Sequence, residues 1–287
     1  MNLKNRFVQI KKVLIYVLVL NWLVSFMKVI YGIMSNCASM RADGMHSFSD
    51  GASNIIGLIG IWVASQPVDR GHPYGHKKYE TFSAIGIAML LVLLCVYILH
   101  DAVSRFFHPV VPDVTRMSFY VMLVTLGINI WVMWYEIKRS KELKSDILYS
   151  DAMHTRSDVL ISVSVIATLI SIRMGLPILD TVVALAIAGL IGYSAFRILK
   201  ESSNVLCDSA VLVSDEIKHI VMDIEGVKEC HMIRTRGRQD DIHVDLHVVV
   251  SPQMHVGAAH NITEMIEKGI KAKIAGVTDV VVHIEPK

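Results

Sequence analysis

Residues 43–50 read Asp-Gly-Met-His-Ser-Phe-Ser-Asp and residues 151–158 read Asp-Ala-Met-His-Thr-Arg-Ser-Asp, so one D-x-M-H-x-x-S-D pattern occurs twice. Within each copy a histidine stands four residues before an aspartate, His46 with Asp50 and His154 with Asp158. That spacing puts both side chains on one face of a helix. Two such faces brought together present two imidazoles and two carboxylates. This tetrahedral set of nitrogen and oxygen donors suits zinc and is compatible with cobalt, iron or manganese, and affinity order alone does not choose among them. Taken singly, a His-x-x-x-Asp pair in an apolar helix reads equally well as a hydrogen-bonding contact with a neighbouring helix; its duplication favours a site. Asp43 and Asp151, three residues before the histidines, have two open roles: accepting a hydrogen bond that orients the imidazole, or standing at the mouth of the helix. A histidine must be unprotonated to bind metal, so metal and protons compete for the same atoms. That competition supplies a mechanism for antiport.

The elements that must position these residues are membrane helices. The chain has 287 residues, 53% hydrophobic and 19% charged, with a mean hydropathy of +0.48, which is too apolar for a soluble domain of this size. The net charge of +2 comes without a basic tract, which excludes nucleic acid as the expected partner. Crossing a bilayer takes roughly 20 mostly apolar residues, and segments near 13–34, 39–65, 80–104, 115–137, 147–172 and 178–199 qualify, predicting six transmembrane helices. The first follows Lys4, Arg6, Lys11 and Lys12, as a signal peptide does. Its apolar run continues past Val29 with no small-residue cleavage site, so it reads as a transmembrane helix. The octets fall in the second and fifth helices, the middle members of two three-helix halves. An odd number of crossings per half runs the copies in opposite directions, the inverted-repeat layout in which substrate sites form between halves. Lys138, Arg139, Lys141 and Lys144, with Arg70, Lys77 and Lys78, share one set of loops with the basic N-terminus, which predicts cytoplasmic termini.

After Lys200 the composition becomes that of a soluble domain. An amphipathic helix over 213–225, strands over 227–235 and 242–250, a helix over 256–274 and a strand over 277–284 predict an α-β-β-α-β, ferredoxin-like α+β domain with two helices on one face of the sheet. The predicted division is residues 1–204 for the transmembrane domain and 205–287 for the cytoplasmic one. A domain of under about 90 residues has a modest core, so dimerisation or metal binding is expected to support it. Cys37, Cys95, Cys207 and Cys230 are scattered without a CxxC pair, as expected of reduced thiols rather than a disulfide framework or a thiolate zinc site.

With six helices, paired HxxxD motifs on the second and fifth, and an α+β tail, the chain resembles the cation diffusion facilitator family over nearly its whole length. The resemblance implies a homodimer that exports a divalent metal in exchange for protons through His46, Asp50, His154 and Asp158, most simply from a bacterial inner membrane. A histidine at the position of His46, where other members have aspartate, implies zinc favoured over cadmium, with iron or manganese, or cobalt or cadmium, as alternatives within the family. The absence of a long histidine-rich loop between helices four and five resembles the prokaryotic type. The resemblance further implies a second site at Asp69, His72 and His76 in the loop after helix two, where the bare sequence reads equally well as a polar loop. In the tail, His231, His247, His260, His283 and Glu285 match positions that bind a metal pair at the dimer interface; Glu285 replaces an aspartate of some relatives, keeping the charge on a longer arm. Lys78 and Asp208 match a charge pair near the membrane, which otherwise reads as an exposed ion pair worth under about 1 kcal/mol. His219, His243 and His255 match no family position and read as surface residues.

Two other classes compete. A catalytic zinc keeps an open coordination position and a nearby base, whereas four ligands close the shell and no HExxH motif accompanies them. A membrane-anchored metal receptor has no need of duplicated intramembrane ligands. The expected reading is a transporter, not an enzyme, with no cofactor and with metal as cargo.

Overall fold

The computed structural model describes residues 3–108, 110–143 and 146–286; Lys144 and the side chains of Lys4, Arg6 and Lys11 lie outside the described residues. Six long helices come first: α1 (Leu3–Met34), α2 (Ala38–Ala64), α3 (Lys78–Phe107), α4 (Arg116–Leu143), α5 (Asp146–Arg173) and α6 (Ile178–Leu206). There follow α7 (Ser214–Met222), β1 (Glu229–Arg238), β2 (Asp241–Val250), α8 (Val256–Lys273) and β3 (Val277–Pro286). Five of the six long helices are apolar and long enough to cross a membrane; α2 is the exception. The reason lies in its own first half, where Arg41, Asp43, His46 and Asp50 dilute the apolar residues. Two helices outrun their apolar segments. Beyond residue 137, α4 continues through Lys138, Arg139, Lys141 and Glu142, all good helix formers, and α6 continues past Lys200 to Leu206.

By its contacts the chain divides into two compact units, Met1–Ile59 with Ser83–Ile198, and Gly60–Phe82 with Leu199–Lys287. The first unit buries many polar groups beside its apolar core and turns large apolar side chains outward. Ser25, Lys28, Ser39, Asp43, Thr125, Asn129, Glu136, Ser162 and Asp180 are buried, while Leu23, Phe26, Ile30, Leu93, Trp134 and Leu160 are exposed. In water that arrangement would be unfavourable; in lipid, apolar side chains have no reason to turn inward and polar ones have every reason to. α1 and α2 approach closely: a Cβ on Gly44 would lie 2.7 Å from the Val29 nitrogen and 2.8 Å from the Lys28 Cβ.

In the second unit the strands form one sheet in the order β1-β2-β3, β1 antiparallel and β3 parallel to β2. Strands that pair in parallel need a crossover, here supplied by α8. Ile217 and Val221 of α7 and Ile262, Ile266 and Ile270 of α8 cover Val244, Leu246 and Val248 of β2. The alternate residues of β2, among them His243, Asp245 and His247, occupy the other face.

Candidate metal centre

The start of α2 is fixed from α6. Asp180 accepts hydrogen bonds from the backbone N–H groups of Ala38 (2.7 Å) and Ser39 (2.9 Å) and from the Ser39 hydroxyl (2.6 Å). Helix-terminal N–H groups have no partner inside the helix, and a carboxylate there also meets the positive end of the helix dipole. Arg105 stands 3.8 Å from the same carboxylate and also pairs with Asp101 at 2.9 Å. His46 and Asp50 follow about two and three turns further along this anchored helix.

The two octets meet. Asp50 Oδ2 lies 3.3 Å from His154 Nε2 and 3.7 Å from His46 Nδ1, and donor atoms of His46, Asp50 and Asp158 all fall within 4.8 Å of one another. Around a tetrahedral zinc, nitrogen and oxygen donors sit about 3.4 Å apart, so two of these spacings already match. His46 Nδ1, Asp50 Oδ2 and Asp158 Oδ1 are buried without a hydrogen-bond partner. Buried polar atoms are seldom left so, and three in one place form a candidate ligand group for a cation. His154, with 49% of its side chain exposed, is the most open of the four.

Asp43 takes neither of the two expected roles. It is fully buried, its Oδ2 is 2.9 Å from Lys28 Nζ, and Ser162 of α5 donates to the same oxygen at 3.1 Å. Lys28 also donates to Ser162 at 2.8 Å. Asp43 is therefore the counter-ion of a buried lysine, not an orienter of His46 or a group at a helix mouth. Sequence reasoning missed Lys28, although a charge inside the apolar run 13–34 was the available signal. Asp151, the equivalent residue of the second octet, neighbours Glu136 of α4, with the Thr155 hydroxyl 3.0 Å from Glu136 Oε2 and 3.2 Å from the Asp151 backbone carbonyl.

In the loop, Asp69 Oδ1 accepts from the backbone N–H groups of Gly71 (2.8 Å) and His72 (2.6 Å), a local turn that sequence polarity and glycine favour. The same carboxylate is 3.2 Å from His72 Nδ1 and 3.4 Å from His76 Nε2, and all three residues form one candidate ligand group. The His72 backbone donor, followed by its side chain and the Gly71 N–H, holds the Asp69 carboxyl below the usual range, which keeps it ionised and ready for a cation.

In the tail, His231, His247 and His283 stand side by side across three strands, since His247 pairs in register with both of the others. Glu285 reaches His247 at 2.8 Å, His231 at 3.3 Å and His283 at 3.9 Å; His231, His247 and Glu285 form one candidate ligand group. Its hydrogen bond with His247 holds the Glu285 carboxyl low. His260 is elsewhere, on the exposed side of α8 and 3.6 Å from Glu264. A β-bulge puts His231 in place. Met232 has φ 50°, and the β1–β2 register shifts between His231 and Arg234. Strict alternation would place His231 on the same side as Ile233 and Thr235, towards the core.

Lys78 and Asp208 are 3.9 Å apart and both largely exposed. Shorter pairs that the sequence did not suggest lie in the same unit: Lys77 with Asp241 at 2.8 Å and Arg238 with Glu80 at 2.9 Å. His243 is not a free surface residue, lying 3.8 Å from Asp241 and 3.5 Å from Asp279. His255 caps α8, its Nδ1 accepting from the Gly257 N–H at 3.1 Å.

Two family models match the chain: the cation efflux transmembrane domain over residues 14–207, and the cation efflux protein cytoplasmic domain over residues 212–287. An uncharacterized transporter of Methanocaldococcus jannaschii is 29% identical over 279 residues, covering 96% of this chain and 98% of its own. A manganese efflux system protein of Bacillus subtilis is 27% identical, covering 91% of this chain and 90% of its own. A cadmium, cobalt and zinc/H(+)-K(+) antiporter of Bacillus velezensis is 25% identical, covering 96% and 88%. Among solved structures, the metal-bound C-terminal domain of the CzcD transporter from Thermotoga maritima is 26% identical over 25% of this chain and 85% of that one, with a TM-score of 0.25.

Proposed function

Given that the chain belongs to the cation diffusion facilitator, or cation efflux, family, whose members are metal transporters and not enzymes, we propose that it exports a divalent cation, zinc first, in exchange for protons. The cargo site is His46, Asp50, His154 and Asp158. The observation that carries this reading is the convergence of buried donor atoms of His46, Asp50 and Asp158, none of them in a hydrogen bond among the described residues, from the two halves of one repeat. Two carboxylates offset the charge of a dication, and two neutral imidazoles complete the shell. Protonation of the imidazoles removes their lone pairs and adds positive charge, which expels the metal. An inward proton gradient then drives export, provided the site faces one side of the membrane at a time.

On this reading all six long helices cross a bacterial inner membrane, α2 included because its polar face lines the cargo site, and both termini and the tail are cytoplasmic. The open face of the sheet, carrying His231, His247, His283 and Glu285, joins a second copy of the chain and binds metal there, with His260 a further candidate ligand. Asp69, His72 and His76 form the loop site. Manganese is the second reading, favoured by the efflux system of that name among the relatives.

The test is zinc uptake into inside-out vesicles under an imposed pH gradient, with manganese and iron as competitors. Uptake that follows the gradient, and that zinc inhibits best, supports zinc–proton exchange. Uptake indifferent to the gradient refutes antiport, and stronger competition by manganese moves the cargo assignment.

A further inference from the structure

The repeat extends beyond the octets and then changes chemistry. Lys28 lies fifteen residues before Asp43, and Glu136 lies fifteen residues before Asp151, so α1–α2 and α4–α5 place the two at equivalent positions. In the first half the result is a Lys28–Asp43 ion pair at 2.9 Å, with Ser162 donating to the aspartate. In the second half it is two carboxyls: Glu136 is fully buried, the Thr155 hydroxyl lies 3.0 Å from its Oε2 and 3.2 Å from the Asp151 backbone carbonyl, and Asp151 is its acidic neighbour. Glu136 Oε1 is buried with no hydrogen-bond partner among the described residues.

Among the described residues no lysine or arginine is paired with these two carboxyls. The helices packed on α4 are α5 and α1. From α5 come Asp151 and Thr155, with His154 within electrostatic reach; α1 contributes the apolar Val13 and Val17 beside Val132 and Leu143. Arg139, one turn along α4, directs its terminal nitrogens to Glu142 at 2.6 Å and Gln9 at 3.2 Å, and its buried Nε makes no hydrogen bond to either carboxyl among the described residues. With Glu136 fully buried and a second, half-buried carboxyl beside it, ionising both is costly, whereas one shared proton turns the repulsion into a hydrogen bond.

The geometry points to Glu136 and Asp151 as a proton-binding site outside the cargo ligands, one helical turn from His154, which releases its proton when metal arrives and regains it when metal leaves. It rests on the antiport reading for its role in transport. The balance is direct. With one shared proton the pair carries a single negative charge; a dication bound by His154 favours the doubly negative pair, and the proton departs. The Lys28–Asp43 pair has no such freedom, because its charges cancel without a proton. A metal subsite is the weaker alternative, since two carboxyls and one hydroxyl fall short of the oxygen shell that a hard cation takes.

The test compares the full-length protein with Glu136→Gln in detergent, following protons released per zinc bound, zinc affinity against pH, and the infrared band of protonated carboxyl groups. Each coupled proton changes apparent affinity about tenfold per pH unit. The expected result is zinc binding at alkaline pH, a pH slope shallower by up to about one, a matching fall in proton release, and loss of one protonated-carboxyl band. Glu136→Lys, which copies the first half, is expected to flatten the slope in the same way and stands in if the glutamine variant does not fold. An unchanged slope, proton release and infrared band would overturn the proposal, as would equal loss of zinc binding at every pH, the mark of a metal ligand. Wild-type flux in vesicles separates the two readings. Flux indifferent to the pH gradient, with Glu136-dependent proton release intact, refutes antiport alone; gradient-driven flux with no Glu136 dependence refutes the proton site alone.

Discussion

Asp158→Asn isolates the cargo ligands from the rest of the protein. The substitution keeps the volume and removes the charge of a side chain that is only 7% exposed and whose Oδ1 has no hydrogen-bond partner. Removing a group that merely supports a metal ligand costs about 10–100-fold in affinity. A direct ligand therefore costs at least about 100-fold, or about 2.8 kcal/mol. At a free zinc concentration 100 times the wild-type dissociation constant, bound metal stabilises the folded protein by about 2.7 kcal/mol. With affinity 100-fold weaker, the same zinc supplies only RT ln 2, about 0.4 kcal/mol. The assay is thermal unfolding in detergent with and without zinc, in a background carrying His76→Ala and His247→Ala to silence the other candidate sites, together with initial zinc flux in vesicles. Without zinc the variant should be no less stable than its parent, because it loses an unpartnered carboxylate. A variant that keeps the full zinc-dependent gain and full flux would show that Asp158 is not a ligand.

Lys28→Met should destabilise the protein by about 3–5 kcal/mol, since it strands the buried Asp43 carboxylate, and adding Asp43→Asn should recover most of the loss; a silent single variant in thermal unfolding would contradict the pair's role. Asp69→Ala should remove one zinc equivalent in calorimetric titration while leaving flux through the cargo site in place, and unchanged stoichiometry would discount the loop site. Burial pushes the Asp241 carboxyl up, but hydrogen bonds from Lys77 and Thr278 outweigh it and hold the group below its ordinary value. Its stabilisation is therefore fully present above the unfolded pKa of about 3.9 and is lost as pH falls through the lower folded value. The stability gap between wild type and Asp241→Asn should accordingly close in acid, and a gap independent of pH would refute the assignment. Met232→Gly should raise the stability of the tail by about 1 kcal/mol by relieving a left-handed residue, whereas deleting Met232 should turn His231 away and lower zinc binding by the tail.

What could be read from the sequence was what local periodicity encodes. The duplicated octet marks its own helices because His46 and Asp50, like His154 and Asp158, repeat at helical spacing, and the tail's α-β-β-α-β order follows from alternation and amphipathic spacing. Charges at apolar positions were legible one at a time, as at Asp43 and Asp151, but their partners were not. Nothing near Asp43 in the chain announces Lys28 on a different helix, and nothing near Asp151 announces Glu136, because the register between packed helices is set by side-chain fit such as that at Gly44. His231 shows the same limit in a strand. Its position suggests a core-facing residue, and only the bulge at Met232 rotates it to the face of His247 and Glu285. Periodicity runs along one chain segment and fixes which face a residue occupies there. Which charges meet across segments depends on packing, and in the buried part of this protein those meetings decide whether a carboxylate faces a lysine, a pair of histidines or a second carboxyl.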